Sequence, residues 1–284
     1  MENIFPSTAK IKPLFSWGIE TFFGLETTIN LRSVKVACTV RQMEKPLLKD
    51  PLVLEGLPGI GLVANIAVAY LIQKLDAKLF AEVKAPSFPD VSVTDKGGSL
   101  KTPFCHLYYH KADSKCSRDL ILLYGNTQAL SRRGQYDLCG CILDLAESLG
   151  CRQVITLGGY RPGRKVSGPA LYYAASDFET AREVAKLGAQ KLDGQIYGVA
   201  GLLVGLAALR GMKGFCLLAE TLGTSLDVEA ARAILKAVSE TLQLKLSLDD
   251  LKEAEELADF LSPFDFGTLA KEQMKEEPKP NWFI

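Results

Sequence analysis

Short apolar runs alternate along the chain with longer segments of helical period. The runs are typical of buried strands and lie at residues 51–56, 78–81, 104–109, 119–124, 153–157 and 214–219. Apolar positions recur at helical spacing over residues 62–75, 135–149, 177–187, 201–209 and 227–242. Because strands that alternate with helices build sheets covered on both faces, the sequence predicts a three-layer α/β/α fold with a largely parallel, mixed sheet.

The periodic pattern occupies only the middle of the chain. Apolar and polar residues alternate over residues 34–40, which indicates a half-buried first strand. Residues 1–33 show no sustained period, and we expect them to be a leader outside the fold. The last helical segment ends near residue 261, so one domain is predicted over residues 34–261. Residues 262–284 are polar and carry prolines, and we expect a flexible tail.

Charge and cysteine content exclude several classes of protein. Lys plus Arg and Asp plus Glu number 33 each, so no net basic field attracts nucleic acid. The seven cysteines form no paired Cys-x-x-Cys motifs, and their apolar neighbours indicate buried free thiols in a reducing compartment. No apolar run reaches the roughly 18 residues that a membrane span needs, and no secretory signal is recognisable. We therefore expect a cytoplasmic protein that binds neither nucleic acid nor a membrane.

The first candidate site is the segment Leu57-Pro58-Gly59-Ile60-Gly61. It follows a predicted strand and precedes a predicted helix, and together with residues 62–64 it fits the G-x-G-x-x-A form of the dinucleotide fingerprint. Glu82 lies near the offset at which such folds place a ribose-binding acid. The alternative is that the glycines only let the helix pack closely on the sheet. The pattern by itself leaves both interpretations open.

Other predicted strands also end in small or polar residues. Gly125 and the pair Gly158 and Gly159 follow two of them, and Glu220 with Thr221 follows a third. Strand ends of this kind line up along one edge of an open α/β sheet, where ligands usually bind. The polar side chains expected at this edge either bind a ligand or close loops and cap helices. They are Asn126, Thr127, Gln128, Tyr160, Arg161, Glu220 and Thr221.

Catalytic and metal-binding patterns are weak. His106 and His110 are the only histidines and have no Cys or acidic partner at metal-ligand spacing, so we expect a same-face pair on an edge strand and no metal site. No Gly-x-Ser-x-Gly motif is present, and no Ser-His-Asp set can be assembled. A hydrolase that uses Glu220 or Asp227 as its base stays open, although nothing singles out either acid.

The chain resembles the archaeal form of the proteasome assembly chaperone 2 family. The resemblance rests on the order and spacing of several motifs and extends from about Val34 to Leu261. These motifs are Leu57 to Gly61, Gly125-Asn126-Thr127-Gln128, Gly134-Gln135-Tyr136, Gly158-Gly159-Tyr160, Gly201-Leu202-Leu203 and Glu220-Thr221, followed by Asp227. The family implies an α/β/α domain of phosphorylase/hydrolase-like topology, homo-oligomeric association, no cofactor and no established catalytic residues. It therefore implies that the glycine loop is a structural corner, although Ala64 stands where many relatives have glycine.

The last residues, Trp282, Phe283 and Ile284, gain a meaning from this resemblance. Archaeal members and proteasome activators end in a hydrophobic–tyrosine–any tripeptide that enters pockets between α-subunits of the proteasome core particle. This chain has Phe283 in place of tyrosine, which removes a hydrogen bond worth about 0.5–1.5 kcal/mol. The resemblance implies an assembly chaperone or activator that is not an enzyme. The alternative is a nucleotide-binding or hydrolytic enzyme that uses the loop from Gly56 to Gly61.

Overall fold

The computed structural model of the chain describes residues 38–94, 97–114, 116–162 and 168–251. The predicted leader (1–33) and tail (262–284) lie outside the described residues. The elements, in chain order, are β1 (Thr39–Gln42), β2 (Leu52–Gly56), α1 (Val63–Lys74), β3 (Lys78–Lys84), β4 (Val93–Thr94), β5 (Leu100–Lys101), β6 (Cys105–His110), β7 (Leu120–Gly125), α2 (Arg132–Ser148), β8 (Gln153–Tyr160), β9 (Leu171–Ala175), α3 (Phe178–Ala185), β10 (Gln190–Lys191), α4 (Val199–Leu209), β11 (Lys213–Glu220) and α5 (Val228–Leu242).

Nine of these strands form one mixed sheet in the order β1-β3-β6-β7-β2-β8-β11-β9-β10. The central strands β7, β2, β8 and β11 run parallel. The strands to either side join antiparallel, except for the outermost pair β9 and β10, which is parallel. The α/β fold with a mixed sheet is therefore confirmed, with its continuous parallel part at the centre. β4 and β5 pair separately as a small hairpin.

The strand sequences explain why helices cover both faces of the sheet. All residues of β2 and β7 are buried, as expected for central strands without a solvent face. Leu52 and Leu54 pack with α1 and α5, whereas Val53 between them packs with α2 and α4. Successive side chains of a strand point to opposite faces, so an apolar run without alternation produces two cores.

Polar side chains fix where the helices begin. The Asp227 carboxylate accepts a hydrogen bond from the Ala230 amide at 3.0 Å and so caps α5, at the residue where the helical period begins in the sequence. The Ser131 hydroxyl accepts from the Gly134 amide at 3.1 Å at the start of α2. These caps satisfy amides that have no partner within the helix.

Two sequence-based expectations are wrong in this part of the chain. Gly158 and Gly159 do not form a turn after the strand, because β8 continues through them and pairs with Leu218 and Ala219 of β11. The histidines do lie on β6, but β6 sits between β3 and β7 and is not an edge strand. Both errors concern strand pairing, which local sequence does not specify. Strands β9 and β10 were also not predicted from the sequence.

Candidate functional site at the carboxyl edge of the central strands

The carboxyl edge is where the parallel strands β7, β2, β8 and β11 end. It comprises the loop after β2 (residues 57–62), the loop after β7 (residues 126–131), the end of β8 at Tyr160 and the loop after β11 (residues 221–227). The topology therefore brings together the loops that the sequence singled out. Edges of this kind are the usual ligand positions in open α/β sheets.

The loop after β2 is held against the loop after β11. Gly61 has a φ of 66°, in the left-handed region, and its carbonyl accepts a hydrogen bond from the Asp227 amide at 3.0 Å. A Cβ atom at Gly61 would lie 2.9 Å from the Thr221 hydroxyl oxygen. Glycine is needed here both for its backbone angle and for this close approach. Gly59 is different, because it is exposed and no atom of the described residues lies within 4 Å of its ideal Cβ.

The Thr221 side chain is engaged within the chain. Its hydroxyl donates to the Asp227 carboxylate at 2.6 Å and accepts from the Gly223 amide at 3.0 Å. A Cβ atom at Gly159 would meet the Ile60 carbonyl oxygen and the Thr221 methyl group. The glycine in β8 thus makes room for the loop after β2 to lie over the sheet.

Amide side chains hold the other side of the same loop. Gln128 donates to the Pro58 carbonyl at 2.6 Å, and its side-chain oxygen accepts from the Val199 amide at 3.0 Å, at the start of α4. Asn65 is buried and donates to the carbonyls of Gly56 (3.1 Å) and Gly125 (2.8 Å). Asn65 joins the ends of β2 and β7, a role that the sequence reading missed. The sequence signal for this role is that Asn65 is the one polar side chain among the apolar residues 62–69.

The other predicted polar residues also have partners within the chain. The Asn126 side chain accepts from the Phe104 amide at 2.7 Å, and the Thr127 hydroxyl donates to the Gln128 carbonyl at 2.9 Å. The Glu220 carboxylate is buried and accepts from the Tyr172 hydroxyl at 2.8 Å. Arg161 donates to the Gly223 carbonyl at 3.2 Å. Tyr160 packs its ring on Tyr172, with the ring centroids 4.9 Å apart.

The surroundings of the glycine loop differ from a dinucleotide site. The first turn of α1 is covered, since Val63, Ala64 and Asn65 are all buried. A phosphate-binding helix needs open amides at this position. Glu82 lies in β3, which is separated from β2 by β6 and β7. The sheet order therefore does not place Glu82 beside the loop, as the dinucleotide interpretation requires.

Glu55 is a buried carboxyl group directly beneath the loop. It is 1% exposed, and one oxygen accepts from the Leu57 amide at 2.8 Å. The other oxygen has no hydrogen-bond partner within the described residues. Burial raises the pKa of Glu55 from its ordinary value of 4.5 to about 8, against the opposite effect of hydrogen bonds from the Leu57 and Leu157 amides. Sequence reasoning passed over this residue, although it is the one charge in an apolar strand.

The histidines lie on β6, which is separated from β2 by β7. His106 lies 3.8 Å from a Glu82 oxygen, and burial lowers the pKa of its imidazole against the effect of that carboxylate. Within the described ranges, no cluster of three or more His, Cys, Asp or Glu side chains has the arrangement of a metal site.

No described helix is long and apolar enough to cross a membrane. The terminal residues Trp282, Phe283 and Ile284 lie outside the part of the chain that the structure describes.

A profile of the PAC2 family matches residues 53–260, and the chain therefore belongs to the PAC2 family. The crystal structure of PbaB from Pyrococcus furiosus, an archaeal proteasome activator, aligns with a TM-score of 0.71 and 35% identity over 80% of this chain and 98% of PbaB. PbaA from the same organism, an archaeal homolog of proteasome-assembly chaperone, aligns in its monoclinic form with a TM-score of 0.64 and 26% identity, covering 84% of this chain and 93% of PbaA. The uncharacterized protein MJ1210 of Methanocaldococcus jannaschii is 31% identical over 208 residues, which are 72% of this chain and 79% of that relative.

Proposed function

We propose that this protein is a cytoplasmic proteasome activator or assembly chaperone. It self-associates and docks its C-terminal residues Trp282, Phe283 and Ile284 on the α-subunits of the proteasome core particle. The observation that carries the proposal is the similarity to the archaeal proteasome activator PbaB, which extends over almost the whole of that protein. The terminal tripeptide is the proposed point of contact with the core particle. Its three large apolar residues follow a charged, proline-bearing segment, and exposed apolar residues of this kind are suited to bind a pocket of a partner.

The tripeptide has the chemistry for a pocket between two subunits. Its aromatic side chains supply apolar area to bury, and the terminal carboxylate is an acceptor for a lysine in the pocket. The segment 263–284, fully extended, reaches on the order of 70 Å at about 3.3 Å per residue. Several tails on one oligomer bind together, so weak individual docking adds up through effective concentration.

Deletion of the last three residues tests the docking. We expect the shortened protein to lose binding to purified core particle while its folding and self-association are unchanged. Phe283→Tyr should bind as well or better, by about 0.5–1.5 kcal/mol, because it restores a hydroxyl group. One residue added after Ile284 should weaken binding by moving the carboxylate. Unchanged binding by the deletion variant would place the contact on the globular domain.

We further propose that the glycine loop is a structural corner and that the protein is not an enzyme. Support comes from the Thr221 hydroxyl beside Gly61 and from the buried first turn of α1. Calorimetric titration of the intact protein with ATP, NAD(H) or NADP(H) should show no binding at micromolar concentrations. Micromolar binding that Gly61→Val abolishes in a protein that still folds would instead favour the nucleotide-dependent enzyme.

A further inference from the structure

Helix α4 is apolar on every side, although it lies at the surface. Its sequence, Val199 to Leu209, contains no charged or polar side chain. One side packs on the sheet and α2 through Val199, Leu203 and Ala207. On the opposite side Gly205 is exposed, and Leu209 is 84% exposed. An apolar surface of this kind on a folded domain is typical of an interaction site.

Helix α2 runs beside α4 in the same direction. Near their first turns Gln128 joins the two helices, since its side-chain oxygen accepts from Val199 of α4 and from the Gln135 side chain of α2, at 3.0 and 3.3 Å. At their last turns Arg210 donates to Asp144 and Glu147, at 2.6 and 3.1 Å. These two connections place the middle of α2 level with the middle of α4.

Gly140 and Gly205 lie at this common level. Among the residues that the structure describes, an added Cβ would have no neighbour within 4 Å at either position. Neither glycine has a positive φ, so the fold of the single chain does not require glycine at these places. Glycine in mid-helix is unfavourable relative to alanine, and its usual benefit is close approach of another backbone. Leu202, Leu206 and Leu209 flank this uncovered backbone on α4.

Two opposite charges on α2, Arg133 and Glu147, lie seven residues to either side of Gly140. Arg133, Gly140 and Glu147 are spaced by seven residues, so they lie on one side of the helix within about 20° per step. The Arg133 side chain is 84% exposed in the first turn and lies 3.7 Å from Asp137, and the Glu147 side chain is 35% exposed in the last turn and lies 3.1 Å from Arg210. Asp144 of the same helix is 72% exposed and also pairs with Arg210. The charges of Arg133 and Glu147 oppose the helix dipole, which favours acids at the start and bases at the end. A two-fold axis through Gly140 would place Arg133 opposite Glu147 of a second copy.

We propose that this α2–α4 face, formed by Arg133, Gly140 and Glu147 of α2 and Leu202, Gly205 and Leu209 of α4, binds the same face of a second copy in antiparallel orientation. The apolar leucines pack over the uncovered glycines of the other copy, and the two pairs of opposite charges fix the direction. A two-fold interface uses the same patch on both subunits, so complementarity of the patch with itself identifies the partner as this chain. The inference rests on the proposed self-association but does not depend on docking of the tail.

The first experiment compares two equally exposed leucines in the full-length protein. Leu209→Glu should weaken self-association about tenfold or more, because it places a charge in an apolar contact. Leu47 is also 84% exposed but lies outside this face, and Leu47→Glu is the matched control. Sedimentation velocity over a wide concentration range measures the dissociation constant of each variant. An intact protein that stays monomeric throughout would overturn the proposal.

Two further variants separate association from folding. Gly205→Gln should keep or raise thermal stability, because no described residue of the same chain lies against this position and glutamine favours helix more than glycine does. It should nevertheless weaken association. Arg133→Glu should weaken association, and the double variant Arg133→Glu with Glu147→Arg should restore it, while Asp144 still holds Arg210. If Leu209→Glu and Gly205→Gln both associate like the intact protein, the interface lies elsewhere.

The outcomes also distinguish this proposal from the proposed function. Loss of core-particle binding on tail deletion, with association intact, is expected if both are correct. Failure of the intact tail to dock would contradict the docking proposal but would not bear on the proposed interface at the α2–α4 face. Leu209→Glu should lower the apparent affinity for the core particle, because a dissociated subunit presents only one tail. Docking of that single tail should persist in the variant.

Discussion

Gly59 and Gly61 stand two positions apart in one loop but have different reasons to be glycine. Gly59 has an extended backbone, with φ −157° and ψ −161°, which any residue adopts. Gly61 has a φ of 66° and faces the Thr221 side chain. Only the second position combines a left-handed backbone with a close neighbour. The two residues therefore form a matched pair for testing what the corner requires.

Gly61→Ala should destabilise the fold, whereas Gly59→Ala should leave it nearly unchanged. The left-handed backbone alone costs alanine about 1–2 kcal/mol, and the contact with Thr221 adds to that cost. The free energy of unfolding, measured with urea for each variant, gives the comparison. Equal effects at the two positions would show that the corner is more adaptable than this geometry implies.

At the scale of secondary-structure elements, the Gln128 side chain connects two loops and one helix. It lies in the loop after β7, donates to the loop after β2 at Pro58 and accepts from the first amide of α4 at Val199. One amide side chain thus replaces a capping residue for α4, whose N-cap is Gly198 without a side chain. The connection explains how loops distant in sequence are held at one edge.

Gln128→Ala should lower the free energy of unfolding by about 1–2 kcal/mol, because it removes the cap of α4 and one partner of a buried carbonyl. Gln128→Glu keeps an acceptor for the Val199 amide but loses the donor to Pro58, so a smaller loss is expected. Hydrogen exchange at the Val199 amide reports the cap directly. Faster exchange in the alanine variant only is the expected result, and equal exchange in all three proteins would contradict it.

At the scale of the whole molecule, the centre of the sheet contains an ionisable group. Glu55 is buried in β2, and burial raises its pKa to about 8. The folded state therefore holds a proton that the unfolded state releases near pH 4.5. The extra stability that the folded state gains from binding this proton is complete below pH 4.5 and is lost as pH rises through about 8.

The free energy of unfolding should consequently fall as pH rises through this window, with a slope that approaches about 1.4 kcal/mol per pH unit. Glu55→Gln should flatten the dependence, because glutamine keeps an oxygen for the Leu57 amide and carries no proton to lose. Urea unfolding at several pH values gives the measurement. Glu240→Gln, at an exposed position of α5, is the control and should leave the slope unchanged. An unaltered slope in the Glu55 variant would assign the pH dependence to other groups.

Local sequence was sufficient for most elements and for their approximate bounds. The apolar runs at 51–56 and 119–124 predicted the buried strands β2 and β7, and the helical period over 227–242 predicted α5. These features depend on periodicity and capping, which are properties of neighbouring residues. The sequence also placed the candidate loops at one edge of the sheet, because parallel strands end on the same side.

Pairing between distant segments decided the rest. The sequence by itself determined the alternation of strands and helices and the buried character of the central strands, and its motifs indicated the family. Only the tertiary structure decided that β8 continues through Gly158 and Gly159, that β6 is interior and that Glu82 lies far from the glycine loop. It also brought Thr221 against Gly61 and set Gly140 level with Gly205. Such contacts join residues far apart in the chain, and their energies depend on packing that no local pattern encodes.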